Sequence, residues 1–320
     1  MSRGTELERI ALLAATFGRP STGIGIGDDA AIVEPVTEPL VWTIDAQVEG
    51  THFQIDWLTW WEVGWRSFMA AASDLAAMGA SPLAALSALS LGPGVEDDDL
   101  EQLAKGQAEA ARMIGAVVIG GNLARGTETS VTTTLLGRAA KPVLRSGAQP
   151  GDGLYLAGAI GLAHAGLMLL QRGGPDVKPE PWQASALSAW RRPIARIDAG
   201  KGMAPTATAG IDISDGLARD AHHIAEASHV ALVIEETALR GLASGLLTRG
   251  ATALSVDVLD LMLTGGEDYA LLVTSPQPIN GFTRIGHVVV GAPEVLLARD
   301  LAHGGAYEPL PPRGFDHFSS

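Results

Sequence analysis

A chain of 320 residues with net charge -14, 47% hydrophobic residues, 39 Gly, 18 Pro and no Cys is long enough for two domains, each with its own core. Its acidity repels nucleic acid and anionic membrane, and an anionic ligand needs cations between itself and the protein. The lack of Cys excludes disulfides, thiolate metal sites and a Cys nucleophile; with no signal-peptide core and no apolar run of membrane-spanning length, the chain reads as cytoplasmic.

Thr5 to Phe17 predicts an amphipathic helix, with Leu7, Ile10, Leu13 and Ala14 on one face and Gly18 as its stop. The loop Gly23-Ile24-Gly25-Ile26-Gly27-Asp28-Asp29 lacks the spacing of a dinucleotide fingerprint. Its acids repel phosphate unless a metal intervenes, and alone it reads as a solvated turn. Ala30 to Val33 and Leu40 to Asp45 read as short strands. Thr59 and Glu62 have capping-box spacing; the helix they open carries a stripe of Trp61, Trp65, Phe68, Ala72, Leu75 and Gly79, read as core. Asp74 on that helix either faces water or is compensated by a cation. Leu83 to Leu91 reads as a strand and Asp97 to Met113 as a helix whose acidic first turn is a solvated face. Ala116 to Ile119 reads as a strand ended by Gly120-Gly121-Asn122, and Ser130 to Leu136 as another.

Lys141 to Pro150 is the linker, so the domains fall at residues 1–140 and 150–320. A strand follows at Leu154 to Ala157, with helices at Gly161 to Gln171 and Ala195 to Met203, separated by a loop from Gly173 to Trp182. Gly158-Ala159-Ile160-Gly161 suits either a phosphate at a helix start or close packing. Gly210 to Leu217 reads as a strand, a turn bearing Asp212, Ser214 and Asp215, and the start of a helix running to Ala227. Further strands are predicted at Leu232 to Glu235, Ala270 to Thr274, Thr283 to Val289 and Glu294 to Leu297, with a helix from Val256 to Leu263.

Asp29, Asp45, Asp212, Asp215 and Glu267 lie at predicted strand ends beside Gly or small residues. Hard oxygen donors of this kind suit Mg²⁺, which keeps waters and bridges substrate phosphates. No P-loop and no protein-kinase catalytic loop is present. The pattern alone reaches a metal-dependent enzyme acting on phosphates.

Longer motifs go further. GIGDDAAIV (Gly25 to Val33), TIDAQVEGTHF (Thr43 to Phe53), SDLAAMGA (Ser73 to Ala80), GGN (Gly120 to Asn122), LRSGAQPGD (Leu144 to Asp152), DISDGL (Asp212 to Leu217), GGEDYALL (Gly265 to Leu272) and GFDHF (Gly314 to Phe318) occur in this order. Together they resemble the thiamine-monophosphate kinases of the aminoimidazole-ribonucleotide-synthetase, or PurM-like, superfamily. The resemblance implies a two-domain α/β (α+β) fold. The N-terminal mixed sheet with its helices binds ATP and Mg²⁺ and forms the barrel of a homodimer, and an α/β domain follows. It also implies transfer of phosphate from ATP to thiamine phosphate with several Mg²⁺. By the same resemblance Asp29, Thr43, Asp45, Asp74, Asp212 and Asp215 are Mg²⁺ ligands, with Ile44 acting through its backbone. Asp212 and Asp215 carry the catalysis. Gly121, Asn122, Arg145 and Ser214 contact ATP, and His52, Glu267 and Phe315 contact thiamine phosphate. Asn122 stands where many members have Asp; as a metal ligand it offers one neutral oxygen. Rival readings are another ATP-using enzyme of the superfamily, of which the Cys-dependent ones are excluded here, and a non-catalytic Mg²⁺- and nucleotide-binding regulator.

Overall fold

A computed structural model describes residues 5–21, 23–27, 30–173, 179–299 and 306–315. The chain divides into two units: Met1–Leu75 with Ala80–Ala140, and Ala76–Gly79 with Lys141–Ser320. Both are mixed α/β, each built on one sheet. Among the described residues no helix is long and apolar enough to cross a membrane.

The first unit opens with α1 (Glu6–Phe17), started by a complete capping box between Thr5 and Glu8. Then come β1 (Leu40–Val48), α2 (Trp60–Ala77), β2 (Ser81–Leu91), α3 (Asp97–Ile114), β3 (Val118–Arg125) and β4 (Ser130–Arg138). The sheet order is β1-β4-β2-β3; β2 and β3 run parallel and the other neighbours antiparallel. On α2 the stripe is buried at Phe68, Ala72 and Leu75. Trp61 and Trp65 are half-buried and stack on each other, rings 5.1 Å apart. The acidic start of α3 is not merely solvated, because Asp97 pairs with Arg9 of α1 at 2.7 Å.

Two expectations for this unit fail. Residues 30–33 form no strand; Ile32 makes only an isolated bridge with Ile24. Gly120-Gly121-Asn122 does not end β3, which runs on to Arg125 in parallel register with β2. A Cβ on Gly121 would strike the Ser87 carbonyl of β2, so the glycine lets the parallel partner approach and does not break the strand.

The second unit contains β5 (Gly153–Ala157), α4 (Leu162–Gly173), α5 (Pro181–Arg191), α6 (Ile197–Met203), β6 (Ala209–Ile213), α7 (Leu217–Ser228), β7 (Ala231–Glu235), α8 (Glu236–Gly241), α9 (Gly245–Leu254), α10 (Val258–Thr264), β8 (Ala270–Ser275), β9 (Thr283–Val289), β10 (Glu294–Ala298) and β11 (Tyr307–Pro309). Its sheet order is β11-β10-β7-β9-β5-β8-β6, with only β10 and β7 parallel among these neighbours. β6 and β8 are buried along their whole length, as strands covered on both faces must be. The predicted linker is not slack: Gly210 donates to the Leu144 carbonyl at 2.9 Å, and the Gly147 and Ala148 amides donate to Ser228 Oγ at 3.1 Å.

α2 and α3 cross at two reciprocal glycines. A Cβ on Gly64 would strike the Leu103 carbonyl, and one on Gly106 the Trp61 carbonyl. Gly106→Ala is therefore expected to destabilise the protein by about 1–3 kcal/mol through overpacking. The better helix propensity of alanine, about 1 kcal/mol, opposes this without reversing it. Calorimetric unfolding reads the difference; an unchanged or raised midpoint would show that the crossing tolerates a methyl group.

Candidate active site

In the first unit Thr43 and Asp45 lie on the side of the sheet that faces the helices. Alternation along β1 places Thr43 and Asp45 on that side with buried Val41 and Gln47. Thr43 Oγ1 donates to Asp74 Oδ2 of α2, and Asp74 is half-buried. Gln47 Nε2 donates to Asp45 Oδ2 at 3.4 Å. Register then draws one row across all four strands: Asp45 opposite Thr133, Thr133 opposite Ser87, Ser87 opposite Gly121. Gln107 of α3, fully buried, ties the row together. It accepts from Ser87 Oγ at 2.9 Å and donates to Thr133 Oγ1 at 3.4 Å. Ile44 is exposed on the other side of β1, and Asn122, next after Gly121, is exposed as well. His52 caps the turn after β1: its Nδ1 accepts the Val48 N–H at 3.1 Å, which leaves the ring proton on Nε2. Asp29 lies outside the described residues.

In the second unit the strand β6 delivers Asp212, buried, to the turn at 213–216. Three consecutive amides of that turn, from Ser214, Asp215 and Gly216, donate to Asp220 Oδ2 at 3.1 Å each. Two distant loops hang on the turn's other side. The Glu267 amide donates to the Ser214 carbonyl at 2.7 Å, and the Tyr269 amide to the Ile213 carbonyl at 2.9 Å. The Phe315 amide donates to the Asp215 carbonyl at 3.0 Å. Backbone bonds thus bring Ser214, Asp215, Glu267 and Phe315 together, with Asp212 two residues from Ser214. Gly266 leaves no room for a side chain, since a Cβ would strike the Ser214 carbonyl.

Arg219 pairs with Asp215 across one helical turn at 3.6 Å. Burial, followed by the charge of Arg145, lowers the His223 pKa; Arg219 acts in the same direction and Asp215 against it. Arg145 and Arg219 thus both act on His223 of α7. Asp220, Arg219 and His223 were not recognised in the sequence. Asp220 had a signal, an acid in the first turn of a helix after a strand end, but that signal reads equally as a dipole partner. Among the described residues no three carboxylates or imidazoles are grouped so as to hold a metal ion. The oxygen donors present are nonetheless of the hard type that Mg²⁺ takes, and Mg²⁺ needs only one or two carboxylates when phosphates supply the rest.

Fold and site define a class first: residues 27–139 match the family described as AIR synthase related protein, N-terminal domain. The chain is 32% identical over 297 residues to the thiamine-monophosphate kinase of Aquifex aeolicus (strain VF5), covering 92% of each. It is 35% identical over 280 residues to that of Mycobacterium tuberculosis (strain ATCC 25618 / H37Rv), covering 86% of this chain and 81% of the relative. The solved structure of AaThiL complexed with AMPPCP and TMP matches with a TM-score of 0.80 at 32% identity, over 98% of this chain and 97% of that one. The chain belongs to the thiamine-monophosphate kinase family.

Burial, then the charges of Asp212 and Asp215, raise the Asp220 pKa from 3.8 to about 8, against the pull of the amides it accepts. Between about 4 and about 8 the folded state therefore keeps a proton that the unfolded chain has released. Raising the pH through this window removes stability. In the protein stripped of divalent cations the unfolding midpoint should fall as pH rises from 4 to 8, and Asp220→Asn should flatten that slope. Parallel slopes for the two proteins would assign the dependence to other groups.

Proposed function

We propose that this chain transfers the γ-phosphoryl group of ATP to the phosphate of thiamine phosphate, giving thiamine diphosphate and ADP. The backbone lock that gathers Asp212, Ser214, Asp215, Glu267 and Phe315 is the observation that supports this reading most. The acceptor is a phosphate monoester whose second ionisation falls near pH 6, so no base need remove a proton from it at neutral pH. An acceptor oxygen attacks the γ-phosphorus in line, and the bond to the bridging oxygen of ADP breaks with its electron pair. The obstacle is repulsion between two polyanions on a chain of net charge -14. Positioning and charge neutralisation are therefore the protein's task.

Bound Mg²⁺ would supply neutralisation of phosphate charge. Asp212 and Asp215 would hold it in the second unit, and Thr43, the Ile44 carbonyl, Asp45, Asp74 and Asn122, with Asp29, in the first. Gly121, Asn122, Arg145 and Ser214 contact ATP, Arg145 as a fork-shaped phosphate donor. Glu267 and Phe315 receive the cationic thiazolium and the flat pyrimidine. His52, with its proton on Nε2, is a donor suited to a phosphate oxygen. In an assay coupled to ADP release, turnover is expected with thiamine phosphate and not with thiamine, hydroxymethylpyrimidine phosphate or formylglycinamidine ribonucleotide. Asp215→Ala should lower kcat on the order of 100-fold or more, as loss of an electrostatic stabiliser does elsewhere, with its fold intact by circular dichroism. Turnover near that of the wild type would remove Asp215 from the mechanism.

The same reading includes a homodimer. On β1, Leu40, Trp42 and Ile44 are 56%, 69% and 66% exposed, on the sheet face turned away from α2 and α3. Leu86 of β2 is exposed in the same row as Ile44, through Thr134. An apolar strip of this kind marks an association surface. Sedimentation should give twice the chain mass for the wild type and the single-chain mass for Trp42→Glu; a wild-type monomer at micromolar concentration would remove the dimer.

A further inference from the structure

Glu267 stands on backbone bent against its preference. Its φ is 65° and that of Tyr269 is 49°, both in the left-handed region that a Cβ disfavours. Between them Asp268 accepts the Gly161 and Ala163 amides at the start of α4, at 2.6 and 3.2 Å. Tyr269 is buried. The main chain at Glu267 is thus clamped on both sides: by the start of α4 through Asp268, and by the end of β6 and the turn after it through the amides of Tyr269 and Glu267.

A clamped main chain does not orient a glutamate's carboxylate, because its last torsion is broad and roughly two-fold. A side chain from α5 supplies that orientation. The indole N–H of Trp190 donates to Glu267 Oε2 at 2.5 Å. Trp190 is 1% exposed, and its helix is locked on α4, where a Cβ on Gly166 would strike the Ala186 carbonyl. An indole carries one donor and no acceptor, so the buried ring delivers its single polar atom to this carboxylate. His164 of α4 borders the same loop: a Cβ on Gly265 would lie 2.7 Å from His164 Cβ.

We propose that Trp190 is a positioning residue for substrate recognition: it pins one oxygen of Glu267 and so fixes the direction in which the carboxylate meets the cationic part of thiamine phosphate. This rests on the functional reading above. A hydrogen bond that involves a charged group is stronger than a neutral one and worth about tenfold or more in binding when its loss misdirects the acceptor. Calorimetric titration of the full chain with thiamine phosphate tests the proposal. Trp190→Phe keeps the bulk and removes the N–H. It should bind thiamine phosphate about tenfold more weakly and raise its KM, with kcat and the KM for ATP little changed. Adding Trp190→Phe to Glu267→Gln should cost much less than the same change in the wild type, since the two residues act as one unit. Wild-type affinity in Trp190→Phe, or the same loss in both backgrounds, overturns the proposal. A wild type that binds no thiamine phosphate overturns the functional reading and this proposal with it. Should Trp190→Phe fail to fold, the wild-type Trp190 indole proton resonance decides. It should lie downfield, shift when thiamine phosphate is added, and move upfield in Glu267→Ala; a resonance insensitive to both overturns the proposal.

Discussion

Three backbone N–H groups converge on one carboxylate oxygen of Asp220, and the second unit's candidate site depends on that convergence. A turn from β6 into α7 would otherwise leave the Ser214, Asp215 and Gly216 amides unsatisfied at the start of a helix. Once they are satisfied, the carbonyls of Ile213, Ser214 and Asp215 face outward and receive the loops that carry Glu267 and Phe315. The arrangement places a third acid among Asp212 and Asp215, whose charges help to raise its pKa. Kept neutral by that shift, the group that shapes the turn adds no charge of its own, and the need for positive charge there comes from Asp212 and Asp215. A divalent cation and the nearby arginines meet that need in the proposed reaction.

The first unit solves a different problem. Its candidates Thr43, Asp45 and Gly121 sit on strands, so register and not a turn decides which of them share a line. Asp45 and Gly121 are far apart in sequence but end the same cross-strand row, with Thr133 and Ser87 between them. A row of hydroxyls between a sheet and its helices must be hydrogen-bonded to be tolerated. Gln107 provides the partners from α3, and with it the spacing of helix and sheet at that point.

Much of the fold was legible where a local rule and the tertiary structure agree. α1 follows from Thr5 and Glu8 at capping-box spacing, and β8 from the apolar run Ala270 to Val273. The misses have physical causes. Pro and Trp make the start of α5 read as loop, yet Pro181 occupies the first helical turn, where it costs no hydrogen bond, and Glu180 and Gln183 form the capping box. α8 is only six residues long and α9 is interrupted by Gly250, so their periodicity is faint. Glycines at 120 and 121 read as an ending of β3, yet the parallel neighbour requires one at 121. For the site, motif strings identified the residues, but the bonds that join them run between segments about fifty or more residues apart, from 213–215 to 267–269 and 315. No spacing rule reaches that far. Asp220 and Trp190 act through hydrogen bonds that only the folded chain displays.

One consequence concerns the loop at 158–161, which suited either a phosphate or close packing when read as sequence. In the structure Asp268 occupies the amides of Gly161 and Ala163. The positive end of α4 is thus stoppered by an acid of the protein itself. A phosphate, drawn to open helix ends elsewhere, finds this berth already taken.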